Sequence, residues 1–317
     1  LATAAALLAL LGDLLSLVPH PAALVVGRLV AGLGTGALLG AVTGFAARGE
    51  QAQKTLATMQ LGLMIFATGF YLVLPAVVRA TGGLTIFAGL AVAAAVAAAC
   101  CWAWLPRVEA VADGQPAATN ARAPMRFIPA AAIACLAIAL AFVGQSAMWS
   151  FIVAIGQAKG FSMQTVGGVL AVCAAINIAG PLAGRLLGER LGLVAPMLVA
   201  IALLGLDAML VANASGFAAF SAGTVLLVLL PGFALPYAFA FLGRIGDDRY
   251  AGAGPAFLML GSAAGPVIAV GVSKAASLGV LGLIAAVIIF AATALLALGA
   301  VIGRRSAAAP ILAGGST

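Results

Sequence analysis

Eleven of the fifteen Lys and Arg residues of this 317-residue chain fall on one side of a regular series of ten apolar stretches. The stretches run roughly Ala2–Val18, Ala22–Ala47, Thr55–Val78, Leu84–Leu105, Phe127–Ile155, Val166–Ala183, Val194–Ala212, Phe217–Leu242, Pro255–Val272 and Val280–Ile302. Most reach the ~20 residues that an α-helix needs to cross the hydrocarbon core. Only helices or closed barrels can cross, because lipid offers no partner to an open backbone N–H or C=O. Barrel strands would alternate apolar and polar residues, and nothing here alternates. The pattern predicts an all-α polytopic membrane protein of about ten transmembrane helices.

The charges set its orientation. With the first helix starting inside, the inner loops hold Arg48, Lys54, Arg107, Arg122, Arg126, Arg185, Arg190, Arg244, Arg249, Arg304 and Arg305. The outer loops hold Arg79, Lys159 and Lys274, and Arg28 lies within a helix. The opposite orientation would violate the positive-inside rule. Both ends of the chain are therefore expected in the cytoplasm, with a bacterial cytoplasmic membrane as the expected location. The net charge of +7 follows from this bias and gives no argument for nucleic acid.

Mean hydropathy is +1.24, and 7% of residues are charged, too few for a soluble domain of this length. Cys100, Cys101, Cys135 and Cys173 all lie in apolar stretches and read as small buried hydrophobes. No zinc spacing, phosphate-binding loop, acid pair on one helix face or other enzyme constellation is visible. No cofactor is implied.

The one long polar break, Arg107–Arg126, reads as a flexible cytoplasmic linker between two lobes. It leaves four helices in an N-terminal lobe (1–106) and six in a C-terminal lobe (127–305), followed by a small, polar, flexible tail (306–317). Leu10-Leu11-Gly12-Asp13 and Leu203-Leu204-Gly205-Leu206-Asp207 form a weak internal echo, one residue out of step. Each precedes a short outer turn and a long helix of small residues. The echo places them at equivalent positions of two halves, and the first half is then short of two helices before Leu1.

Arg28 lies several residues inside the second stretch, where a charge costs a few kcal/mol or more. It opens the run Arg28-Leu-Val-Ala-Gly32-Leu-Gly34-Thr-Gly36, whose glycines suit close helix packing. This run resembles the fourth-helix signature of the major facilitator superfamily, with Ala31 where that family has Gln. Gly184-Arg-Leu-Leu-Gly188-Glu189-Arg190-Leu-Gly192 is similar to the family's Gly-rich cytoplasmic loop, with Glu189 where Asp is usual. Gly261-Ser-Ala-Ala-Gly265-Pro266, after Asp247-Asp248-Arg249, resembles the family's tenth-to-eleventh helix region.

The resemblance implies a secondary transporter whose helices correspond to the third to twelfth of the usual twelve. It makes Arg28 a structural or coupling charge, with Asp13 beside it as the second coupling candidate; Glu189 and Arg190 are a conformational latch or an ordinary positive-inside loop, and Gly32, Gly34, Gly261, Gly265 and Pro266 are packing or bending positions.

Asp13 and Asp207 are acids inside apolar stretches. Asp13 and Arg28 flank His20 at similar depth, so Asp13 either pairs with Arg28 or snorkels. Asp207 lies near an outer helix end and reads as reaching water. Gln145 and Trp149 stand at i and i+4 on the fifth stretch and share a face. An amide and an indole there suit an amphipathic solute, unless Trp149 anchors at the interface. Asn177 reads as an interhelical hydrogen-bonding residue, with solute contact as the alternative, and Gln60, Tyr71 and Tyr237 are lesser cavity candidates.

Pro231, Gly232 and Pro236 predict a bend in the eighth stretch. The expected activity is secondary transport of a small solute by alternating access, with protons as the coupling ion and efflux of an amphipathic or drug-like compound as the direction. Metabolite uptake and a non-transporting scaffold are the alternatives. The expected partners are solute, protons and the lipid bilayer, and the expected state is a monomer.

Overall fold

A computed structural model describes residues 2–81, 85–104, 128–246 and 248–313. The linker at 107–126, Asp247, the end of the tail at 314–317 and the side chain of Tyr71 lie outside the described residues. The described residues form eleven helices. Eight helical segments among them are long and apolar enough to cross a membrane, confirming the all-α membrane architecture.

Two compact units emerge: Leu1–Val42 with Tyr71–Phe127, and Thr43–Phe70 with Ile128–Thr317. The second unit thus takes residues 43–70, which the linker-based division assigns to the N-terminal lobe. The physical reason is a row of hydrogen bonds from this segment to later helices, described below.

In the first unit, α1 (Ala2–Leu15) packs against α4 (Thr85–Trp104) and against α2 (Pro21–Ala46). Pro21 opens α2, where its missing N–H is not needed, and the neighbouring Ala22 N–H donates to His20 Nδ1 at 3.3 Å.

In the second unit, α5 (Pro129–Ala158) is the central post, flanked by α10 (Asp248–Ala275) and α11 (Leu278–Ala313). α8 (Val194–Asn213) packs on α9 (Phe217–Ile245) and on α11. α6 (Met163–Ile176) and α7 (Ala179–Leu187) pack on α9, and α3 (Ala52–Thr81) contributes its first half. Met148, Phe220, Leu227, Ile289 and Leu296 fill the core. Outside it, Leu33, Leu186 and Val267 are about 70% exposed. An apolar exterior of this kind suits lipid rather than water.

Helix ends have local causes. Ser162 caps α6 by accepting from Thr165 N–H at 3.1 Å. Lys159 Nζ donates to the Ala212 and Ala214 carbonyls at 3.0 and 2.7 Å, a cation on the C-terminal end of α8.

Two features differ from the sequence reading. The sixth apolar stretch is two helices, α6 and α7, divided at Asn177–Ile178. The last helix, α11, runs as far as Ala313, past the end of the tenth apolar stretch at Ile302.

Candidate functional site

Arg28 sits two turns into α2, and its charge is satisfied on three sides. Its Nη2 lies 2.5 Å from Asp13 Oδ1, its Nε donates to Ser16 Oγ at 3.0 Å, and its Cζ stands 4.8 Å from the centre of the Phe87 ring on α4. Ser16 donates in turn to the Gly12 carbonyl at 2.8 Å. Pairing, not snorkelling, is therefore what Asp13 does, with its side chain 9% exposed against 37% for Arg28. Ion pair, hydroxyl and aromatic face together offset the burial of the guanidinium.

The pair requires α1 and α2 to approach closely. A Cβ on Gly12 would collide with the Ala31 backbone, one on Gly27 with Ser16, and one on Gly34 with the Ala9 backbone. Gly34 therefore lies on the face packed against α1, whereas Gly32 is exposed, and a Cβ there meets nothing within 4 Å. Gly27, Ala31 and Gly34 share the packed face at helical spacing, and Gly32 is turned about 100° away from Ala31.

The second unit holds the interruption between α6 and α7. Asn177 stands between α6 and α7, half-buried, and its Nδ2 donates to Met64 Sδ on α3 at 2.9 Å. Thr68 donates to the Ala174 carbonyl at 3.1 Å, and Gln53 to the Gly184 carbonyl at 2.9 Å. Gln53, Gln60, Met64 and Thr68 fall on one face of α3, at i, i+7, i+11 and i+15. Gln60 is half-buried on this face, between residues that hold the broken helix.

α9 meets the break at Gly232, where a Cβ would lie 3.6 Å from Asn177 Oδ1 and 3.1 Å from Pro181 Cδ. On α5, Gln145 Nε2 donates to the Leu227 carbonyl at 3.4 Å. That carbonyl is four residues before Pro231, which has no N–H to give it. Gln145 thus supports α9 at its proline, a role missed in the sequence. Trp149, one turn on, is 38% exposed.

Tyr237, expected to line a cavity, is fully buried. Its hydroxyl lies 2.8 Å from the Gly188 carbonyl and 3.2 Å from that of Gly184. Gly184 O already accepts from Gln53 and from the Gly188 N–H, so the tyrosine proton goes to Gly188. Gly188 ends α7 at φ 57, a conformation that favours glycine. Glu189 pairs with Arg244 of α9 at 2.6 Å, and Arg190 beside it is exposed. The ion pair at this end of α7 joins Glu189 to Arg244, with Tyr237 and Gln53 behind it.

Gly261 and Gly265 seat α10 on α5. A Cβ on Gly261 would strike the Ala139 carbonyl, and one on Gly265 would strike Ser146 Oγ and lie 2.5 Å from the Val143 carbonyl. Pro266 follows, half-buried, inside α10.

Asp207 overturns its sequence reading. It does not reach water: it is 3% exposed, and neither carboxylate oxygen has a hydrogen-bond partner among the described residues. Among those residues no three His, Cys, Asp or Glu side chains gather as a metal site.

These helices define a polytopic α-helical membrane protein. Its fold is that of the major facilitator transporters. The Escherichia coli fucose:proton symporter FucP, in a point-variant crystal structure, matches with a TM-score of 0.73 at 16% identity, over 94% of this chain and 83% of the other. A structure of FucP in an outward conformation gives a TM-score of 0.70 at 17% identity, over 94% and 82%. The human organic anion transporter MFSD10 (TETRAN) gives 0.72 at 16% identity, over 93% and 76%. No family sequence model matches the chain, and no curated protein sequence matches it.

Proposed function

We propose that this chain is a secondary transporter that moves a small solute by alternating access, coupled to protons. The observation that carries the reading is the interruption of the α6–α7 span at Asn177–Ile178, where both residues keep helical dihedrals and Pro181 has no N–H to offer the Asn177 carbonyl. Asn177, Gln60 and Thr68 gather there inside an otherwise apolar bundle, against a proline-containing helix. Interrupted helices at membrane depth are tolerated where they are buried in protein or line a solute path. The neutral amides and the partly exposed Trp149 favour a neutral or amphipathic solute over a strongly charged one.

Export is the direction we propose, at a bacterial cytoplasmic membrane with both chain ends inside. Uptake by symport is the second reading, favoured by the likeness to a fucose:proton symporter. The test is lumenal pH in proteoliposomes of the full chain, challenged with lipophilic cations, neutral sugars and organic anions. Proton flux that requires one of these solutes supports the reading, and the sign of the flux gives symport or antiport. Solute movement without any proton flux rejects coupling. No movement of any probe class rejects transport of the solutes proposed.

A further inference from the structure

Two acids stand at echoing positions of the chain, and the structure treats them differently. Asp13 on α1 meets Arg28 on α2, next to Gly27. Asp207 on α8 leans on α9 beside Gly223, where a Cβ would lie 3.1 Å from its Oδ1. The residue after that glycine is Thr224, where the first repeat has Arg28. Thr224 is fully buried, and its hydroxyl donates to the Phe220 carbonyl of its own helix at 2.7 Å. The second repeat thus keeps the acid and lacks the cation.

Among the described residues the surroundings offer no replacement. α5, α8 and α11 pack around this region, and α9 faces Asp207 directly. Their titratable or charged residues are Cys135 on α5, Tyr237 and Arg244 on α9, and Arg304 and Arg305 on α11. Tyr237 and Arg244 are engaged at the α7 end. Lys159, after α5, is spent on the last carbonyls of α8, about 9 Å along the helix from Asp207. A metal cation needs several oxygen ligands, and Leu210, Val211 and Gly223 supply none from side chains.

We propose that Asp207 is a proton-binding site. The carboxylate takes up one proton in the packed state described here and gives it back when α8 and α9 separate enough to admit water or a counter-ion. A lone carboxylate without donors in an apolar bundle is unfavourable, whereas one bound proton removes the charge without needing further space. Asp13 differs in geometry: its carboxylate is paired with Arg28. This deepens the proton-coupled reading above and rests on it for its role in transport, though the site itself can be tested without any solute.

The experiment is infrared difference spectroscopy of the full chain in liposomes during a step in buffer pH, with protons as the only probe. The expected result is a protonated-carboxyl carbonyl band that is lost in Asp207→Asn and kept in Asp13→Asn. A band that survives Asp207→Asn unchanged, or the absence of any such band in the parent chain, overturns the proposal.

A second measurement avoids dependence on folding of the variant. Dicyclohexylcarbodiimide adds to a protonated carboxyl and rearranges to a stable N-acylurea, which mass spectrometry locates. Labelling of Asp207 that declines as pH rises, with Asp13 unlabelled, supports the proposal; labelling of Asp13 alone overturns it. Titration at Asp207 in a chain without solute-driven proton flux would uphold the site and reject coupled transport.

Discussion

Gln145 donates to the carbonyl of Leu227, which Pro231 leaves without its helical partner. Eighty-two residues separate the two, and the bond joins the central helix α5 to the proline segment of α9. The amide therefore compensates a backbone defect.

This relationship predicts a conditional cost. Gln145→Leu strands the carbonyl and is expected to destabilise the protein by about 1–3 kcal/mol. In a Pro231→Ala background residue 231 has an N–H to offer, and the same change should cost less. Unfolding in detergent of the four members of the cycle gives the coupling. A cost for Gln145→Leu that is unchanged by Pro231→Ala would separate the amide from the proline.

The glycines of α2 give a second contrast. Gly34→Ala drives a methyl into the Ala9 backbone, which cannot yield without parting α1 from α2. Gly32→Ala meets no atom and gains helix propensity of about 1 kcal/mol. Thermal unfolding should show Gly34→Ala strongly destabilised and Gly32→Ala neutral or stabilised. Equal destabilisation of both would mean that the packed face is misplaced.

How much of this was legible depended on whether a signal was local. Apolar length and charge bias revealed the helices because each helix in lipid satisfies its own backbone. Arg28 and Asp13 stood out because few charges occur inside apolar stretches, and the short turn between them brought them level. The alternation of Gly32, Gly34 and Gly36 contained more than one possible face, and only the crossing with α1 selects Gly34.

Asp13 and Asp207 stand at echoing positions, but the burial of Asp207 against Gly223 depends on how α8 packs on α9, which no local pattern carries. Tyr237 and Gln145 resembled cavity residues because their true acceptors, carbonyls on other helices, carry no side-chain signature. Gln53 and Met64 were missed outright, although their spacing from Gln60 marks one face of α3.

The ion pair of the first unit predicts strong non-additivity. Asp13→Asn leaves the Arg28 guanidinium without its counter-ion and is expected to cost on the order of 3 kcal/mol. Arg28→Lys keeps the charge but loses the fork that reaches Asp13 and Ser16 together, at about 1–2 kcal/mol. Replacing both, as Asp13→Asn with Arg28→Gln, should recover much of the loss from Asp13→Asn alone. Chemical unfolding of the set decides, and simple additivity would show that the two side chains do not depend on each other.

The end of α7 predicts two bonds with different salt behaviour. Tyr237→Phe deletes a fully buried donor to Gly188, and Glu189→Gln deletes a largely exposed ion pair with Arg244. The buried bond contributes about 1 kcal/mol, so its loss should raise the open population about fivefold. The exposed pair contributes about 0–1 kcal/mol and is screened by salt.

The readout is the maleimide labelling rate of a cysteine at buried Leu56, one turn beyond Gln53, in a background lacking the four native cysteines. Tyr237→Phe should speed labelling equally at low and high ionic strength. Glu189→Gln should speed it only at low ionic strength, because salt already weakens the native pair. If neither variant changes the rate, these contacts hold α7 in place without controlling access to α3.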